Sequence, residues 1–183
     1  MQKATHKKML IIGLGNPTEE YVHTYHNVGK NFLDYYLEKQ GCITAPKTPS
    51  NKRFSQITCG GVLCVFPKTF MNESGGAVKE ALSFYKINPA NLLVIHDDSD
   101  MLVGTYKLVF DQRSAGHNGV ESIINTIGTQ AFWRLKIGIR PQKEVVRKKA
   151  EKFVLKSISK KDAPFFRKVF ENASKDIEKL LEK

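Results

Sequence analysis

Two short runs of unbroken apolar residues, 9–14 and 92–95, each empty into polar sequence. Runs of that length bounded by turn formers read as strands buried on both faces. Elsewhere apolar positions recur at three- and four-residue spacing. Residues 26–40 put Val28, Phe32, Leu33, Tyr36 and Leu37 on one helical face before Gly41. Residues 74–86 do the same with Ala77, Val78, Ala81, Leu82 and Tyr85, and Asn88-Pro89 closes them. Asn118 and Glu121 have capping-box spacing and open a helix through Ile123, Ile124 and Ile127. A final helix over 161–181 carries Phe165, Phe166, Val169, Phe170, Ala173 and Ile177. Residues 54–59 and 62–66 are β-rich around Gly60-Gly61, the pattern of a hairpin with a primed turn. Residues 106–110 and 134–139 add strands, and 45–53 form a polar, proline-bearing connection. Alternating strands and helices predict an α/β fold: one domain over 1–183, a twisted mixed β-sheet with helices on both faces. No internal repeat appears.

Composition sharpens this picture only modestly. The 183 residues are 41% hydrophobic and 26% charged, an ordinary globular balance that excludes disorder and collagen-like chains. No apolar run approaches the ~20 residues of a membrane span. The basic N-terminal extension 1–8 is followed by too short an apolar stretch for a signal sequence. A cytoplasmic protein without membrane association is expected. Cys42, Cys59 and Cys64 are odd in number and lack metal spacing, so free thiols are expected; a Cys59–Cys64 pair is sterically possible but foreign to that compartment.

Charge placement says more. The net charge is +11, and residues 134–183 hold 16 basic and 7 acidic side chains. The basic C-terminal segment 142–183 is densest over 143–161, with eight basic residues and two acidic. A phosphate-bearing partner is the natural inference, and a solvated helix face the plain alternative.

Gly13-Leu14-Gly15-Asn16-Pro17-Thr18 begins like a dinucleotide fingerprint but has Thr at the sixth position, so a nucleotide cofactor fits poorly. Asn16 then lines a strand-end crevice or simply bonds its own turn. His96-Asp97-Asp98-Ser99-Asp100 offers three carboxylates for a hard metal, yet strand alternation turns Asp97 away from His96 and Asp98. A turn at the strand end, with one aspartate facing the crevice, is expected. His26 stands at a helix start, which lowers its pKa, whereas a carboxylate partner would raise it; the balance stays open. Asn72 and Asn118 immediately precede helices and read as N-caps compatible with a site. No nucleophile elbow or zinc spacing occurs, so the available chemistry is general-base activation of water with amides to orient the substrate.

Taken together, Gly13-Leu-Gly-Asn16-Pro17, Tyr21, His26-Asn27-Val-Gly29, the 67–75 stretch Pro-Lys-Thr-Phe-Met-Asn-Glu-Ser-Gly, His96-Asp97, Gly116-His-Asn-Gly119 and Arg134-Leu-Lys-Ile-Gly138 resemble bacterial-type peptidyl-tRNA hydrolase. The resemblance covers nearly the whole chain. It implies a monomeric, cofactor-free, metal-independent esterase that cleaves peptide from the 3′-terminal ribose of tRNA and so recycles tRNA from aborted translation. It further implies that His26 is the catalytic base, that Asp97 orients it, and that Asn16 helps select N-blocked substrate. Tyr21, Phe70, Asn72 and Asn118 match positions that hold the tRNA 3′ end and acyl chain. Met71 matches a pocket residue, His117 a neighbour of the site, and Lys107 and Lys136 basic positions that grip tRNA phosphate. The chain departs from the family pattern at Thr18, at Tyr25 where arginine is common, at Val109 and Lys136, and in the glycine-poor 111–115 loop. Two other readings compete: an RNA-binding protein on the same fold, and a metal-dependent phosphoesterase built on residues 96–100.

Overall fold

The computed structural model describes residues 8–42, 47, 49, 52–141 and 153–182. Residues 1–7 of the basic extension, most of the 45–53 connection and 142–152 of the basic segment lie outside them. Six strands form one sheet: β1 (Leu10–Gly13), β2 (Phe54–Cys59), β3 (Val62–Pro67), β4 (Leu92–Leu102), β5 (Tyr106–Phe110) and β6 (Trp133–Arg140). Their spatial order is β2-β3-β1-β4-β6-β5. The inner four run parallel, and β2 and β5 close the edges antiparallel. Four helices join them: α1 (Val28–Lys39), α2 (Ser74–Tyr85), α3 (Asn118–Ile127) and α4 (Ala163–Leu181).

Strand alternation divides the core. Ile11, Leu93, Ile95, Leu135 and Ile137 pack with α1 and α4, through Phe32, Leu33, Phe166 and Val169. Leu10, Ile12, Leu92 and Val94 pack with α2 and α3, through Val78, Ala81, Val120 and Ile123. Covering both faces is why β1 and the start of β4 are apolar at every position. The order reverses at β1, with β3 on one side and β4 on the other. In parallel α/β sheets the crevice beyond the carboxyl ends at such a reversal is where ligands bind.

The hairpin forms as its spacing predicts, with φ of 56° and 84° at Gly60 and Gly61. Three local expectations are corrected. The 96–100 segment is not a turn: β4 continues to Leu102 because β6 pairs with it as far as Asp98, and again at Leu102 beyond a bulge. Asn118 is not an N-cap. His117 caps α3 with Nδ1 accepting from the Val120 N–H, and the Glu121 carboxylate accepts from the Ser114 hydroxyl instead of completing a box. Asn72 makes no cap bond either, since it sits inside a 3₁₀ turn, Met71–Glu73, ahead of α2.

The cysteines also depart from expectation. Cys42 and Cys59 form a disulfide, their Cα atoms 5.9 Å apart, and Cys64 is the buried free thiol. The chain turns back after α1 and sets Cys42 against the end of β2, an approach between residues 17 apart that spacing does not reveal. Burial pushes the Cys64 thiol up to about 12, so it packs as a small apolar group.

Candidate active site

β1 ends at Gly13, and the chain turns over the sheet through Asn16. Asn27, from the 3₁₀ turn that precedes α1, clamps that loop. Its Oδ1 accepts from the Asn16 N–H at 2.8 Å, and its Nδ2 donates to the Asn16 carbonyl at 3.0 Å. The Asn16 side chain in turn accepts the Met71 N–H at 2.9 Å through Oδ1. One asparagine is therefore fixed from three directions, and its amide NH₂ is the part left for a ligand.

His26 occupies the same 3₁₀ turn, Tyr25–Asn27. Gly29 lets α1 press directly onto β4, because a Cβ there would collide with the Ile95 carbonyl. That close approach brings the His26 ring to β4. Its Nδ1 bonds Asp97 Oδ1 at 2.7 Å. Asp97, alternating in register with Leu93 and Ile95, faces α1. The C-terminal segment supports the turn from outside: His26 N–H donates to the Val154 carbonyl at 2.8 Å and Tyr25 N–H to that of Lys156 at 3.1 Å. The Tyr25 hydroxyl donates to Asp162 and accepts from the Ser159 N–H at 3.2 Å. Thus Tyr25 fastens α4 to the turn that carries His26.

His117 reaches the same carboxylate oxygen from the other side, with Nε2 2.8 Å from Asp97 Oδ1. Its Nδ1 accepts the Val120 N–H in the helix cap, so its proton sits on Nε2 and is donated to Asp97. Asp97, 2% exposed, consequently receives two N–H groups on one oxygen. Burial pushes its carboxyl up, but His117 and His26, both bonded to it, together outweigh burial and hold the group well below the usual carboxylate range. For His26, burial lowers the pKa, and the Asp97 charge and hydrogen bond more than reverse this, so the balance left open by the sequence falls on the raised side. His96, fully buried behind His117, has its pKa lowered well below the ordinary value, chiefly by burial and against the pull of Asp97.

Among the described residues His26, Asp97 and His117 are the group whose ligand atoms lie close enough to share a metal ion, within 4.8 Å. A metal would need a lone pair on His117 Nε2, the atom that the helix cap keeps protonated. It would also take His26 Nδ1 from Asp97. The donor set fits a shared-proton network better than a metal centre. The 96–100 cluster does not converge: Asp98 pairs with Lys136 at 2.6 Å on the α2/α3 face, and Asp100 with Arg140 at 3.1 Å.

The remaining predicted residues differ in exposure and setting. Phe70 is 48% exposed, and Asn72 and Asn118 are exposed at the starts of neighbouring elements. Tyr21 is half-buried in its own 3₁₀ turn. Met71 is a core residue whose sulfur lies against Gly119, and it serves the site through its backbone. Lys107 stands directly across from Lys136 on the β5–β6 pair. Lys136 is partly neutralised by Asp98, so of the two Lys107 presents the more open charge. Asn27, the Asp98 partner of Lys136 and the second imidazole on Asp97 were not predicted in these roles. No short-range spacing encodes a clamp between residues 11 apart or a contact 20 apart.

No helix among the described residues is long and apolar enough to cross a membrane. The sequence model of the peptidyl-tRNA hydrolase family matches residues 10–183. A peptidyl-tRNA hydrolase of Lactobacillus johnsonii is 45% identical over 140 residues, 75% of each chain. One from Sulfurihydrogenibium sp. is 39% identical over 172 residues, 93% of this chain and 89% of its own. The crystal structure of the Acinetobacter baumannii peptidyl-tRNA hydrolase matches with a TM-score of 0.85 at 29% identity, over 99% of this chain and 92% of that one. A fold that agrees from end to end, together with a sequence match that spans the crevice residues, makes this hydrolase a member of the peptidyl-tRNA hydrolase family.

Proposed function

We propose that the chain cleaves the ester between peptide and 3′-terminal ribose in peptidyl-tRNA, using His26 as general base and no metal. The carrying observation is the His26–Asp97 bond. Because Nδ1 is the nitrogen engaged, Nε2 is free to take a proton from the attacking water. Asp97 then stabilises the imidazolium that forms and keeps the ring in the required tautomer. The Asn16 amide NH₂, with Asn72 and Asn118, orients the acyl carbonyl and donates to the developing oxyanion, worth roughly 2.7–4 kcal/mol per donor in comparable sites. Exposed Phe70 and half-buried Tyr21 supply flat faces for the terminal bases. Lys107 and Lys136 meet backbone phosphate, and the basic residues beyond 142 add long-range attraction that weakens with salt. The chain acts as a single-domain cytoplasmic monomer.

The test is release of tRNA from an N-blocked aminoacyl-tRNA, at low salt with chelator present. The native chain should turn over, and His26→Ala should lose about 10²–10⁴-fold in kcat. A native chain that bound tRNA but released nothing would leave an RNA-binding protein on this fold. Turnover abolished by chelator would revive the metal reading.

A further inference from the structure

Arg134 is the largest of the fully buried side chains, at 0% exposure, and it lies in β6 two residues before Lys136. Burying a guanidinium is costly, and an apolar side chain of similar length usually fills such a space without loss of stability. Packing alone therefore gives no reason for a cation here. Its surroundings are specific. Nη1 donates to the Arg113 carbonyl at 3.0 Å. The guanidinium lies 5.9 Å from the centre of the Phe132 ring, and the Asp98 charge acts on it. Its Nε and Nη2 have no hydrogen-bond partner among the described residues.

Arg113 belongs to the 111–117 segment, which has few other attachments. Asp111, Ala115 and Gly116 all take left-handed φ, at 52°, 52° and 80°, and most of the segment is exposed. Left-handed conformations cost energy for non-glycine residues and persist only where contacts hold them. The contacts here are Asp111 N–H to the Phe132 carbonyl, the Ser114 hydroxyl to Glu121, His117 to Asp97 and into the α3 cap through Val120 and Glu121 N–H, and, at Arg113 between these ends, the buried arginine. The segment delivers His117 to Asp97 and leads straight into Asn118.

We propose that Arg134 is a positioning residue for the hydrolytic reaction: from inside the core it anchors the 111–117 segment by the Arg113 carbonyl, and so keeps His117 on Asp97. The inference rests on the catalytic reading of His26 and Asp97 given above. Arg134 touches neither substrate nor reacting atoms. It acts through two links, the Arg113 carbonyl and the His117 ring. The titratable groups around Asp97 are His26 from the turn before α1 and His117 from this segment, with His96 of β4 behind His117. Asp98, Lys136 and Arg134 are the charges on the opposite face of the sheet.

Two substitutions test this in the full chain. Arg134→Met removes the anchor and fills the space. Arg134→Lys keeps the cation near Asp98 but loses the planar guanidinium that directs Nη1 at the Arg113 carbonyl, so it holds that carbonyl less firmly. Three quantities are read: trypsin cleavage after Arg113, followed by mass; kcat and KM on N-blocked aminoacyl-tRNA; and the acidic limb of the pH–kcat/KM profile. Arg134→Met should cut faster after Arg113 and lose about tenfold to hundredfold in kcat, the scale of a displaced supporting group. Arg134→Lys should lose less, and its acidic limb should move to higher pH. With the charge retained, that movement reports His117 leaving Asp97, which frees the carboxylate to favour protonated His26. Native rates of cleavage and turnover in a folded Arg134→Met overturn the proposal. If the methionine variant does not fold, native cleavage, kcat and pH limb in Arg134→Lys overturn it. A native chain inactive on this substrate instead sinks the catalytic reading, while cleavage at Arg113 still reports whether Arg134 holds the segment.

Discussion

His26 and His117 bond the same oxygen of Asp97 from two different elements, and the two are held there by contrasting means. His26 sits in a turn locked by packing: α1 pressed on β4 at Gly29, Asn27 clamped on the Asn16 loop, and the C-terminal segment bonded to the backbone of Tyr25 and His26. His117 sits on an exposed segment with three left-handed residues and a few side-chain ties. A packed turn suits the base that we propose His26 to be, because a base must hold its geometry through turnover. A group whose neighbour must admit and release a large substrate belongs on a less tightly held element. The asymmetry supports the proposal that the two rings have different tasks on one carboxylate.

Breaking the shared oxygen should have the largest effect. Asp97→Asn leaves the shape but removes the charge that selects the His26 tautomer, and about 10⁴-fold is lost in kcat at a comparable histidine–aspartate pair. The sign of its pH dependence is diagnostic. In the native chain Asp97 raises the His26 pKa above its ordinary value, so activity should fall as pH drops through that raised value. In Asp97→Asn only burial remains, and the acidic limb should move to lower pH, read from whatever kcat/KM survives.

Removing the second ring separates the two tasks. His117→Ala should cost less, about tenfold to hundredfold in kcat/KM, and should move the acidic limb the other way. Asp97 loses one of its two donors, so its charge acts more fully on His26. Equal shifts in the same direction from the two variants would mean that His26 and His117 are interchangeable.

The smallest effect tests the locked side. Tyr25→Phe removes the bonds to Asp162 and Ser159. It should cost about 0.5–1.5 kcal/mol of stability, measured by denaturant unfolding. Turnover should stay near native, because Val154 still holds the His26 backbone. A large kcat loss without loss of stability would show that this turn is as adjustable as the 111–117 segment.

The fold was legible wherever one period ran through a whole element. The apolar runs of β1 and β4, the Gly60-Gly61 hairpin and the amphipathic helices all form as their spacing predicts. Misreadings arose where tertiary pairing overrode local signals. β6 extends β4 through a polar stretch that reads as a turn, and His117 takes the cap for which Asn118 and Glu121 have the spacing. Tyr25, a departure from the family pattern, becomes the tie to Asp162 across 137 residues.

By itself the chain determined its elements, the two-faced core and, through a constellation of short motifs, its family. Those follow from backbone propensity and side-chain period, which are local. Which atoms meet was decided only by the folded structure: two imidazoles on one Asp97 oxygen, Asn27 around Asn16, Cys42 on Cys59, and a buried Arg134 under the 111–117 segment. Each of these contacts joins residues from separate elements or loops. Their separation in sequence carries no signal until sheet order and helix packing set the distances between them.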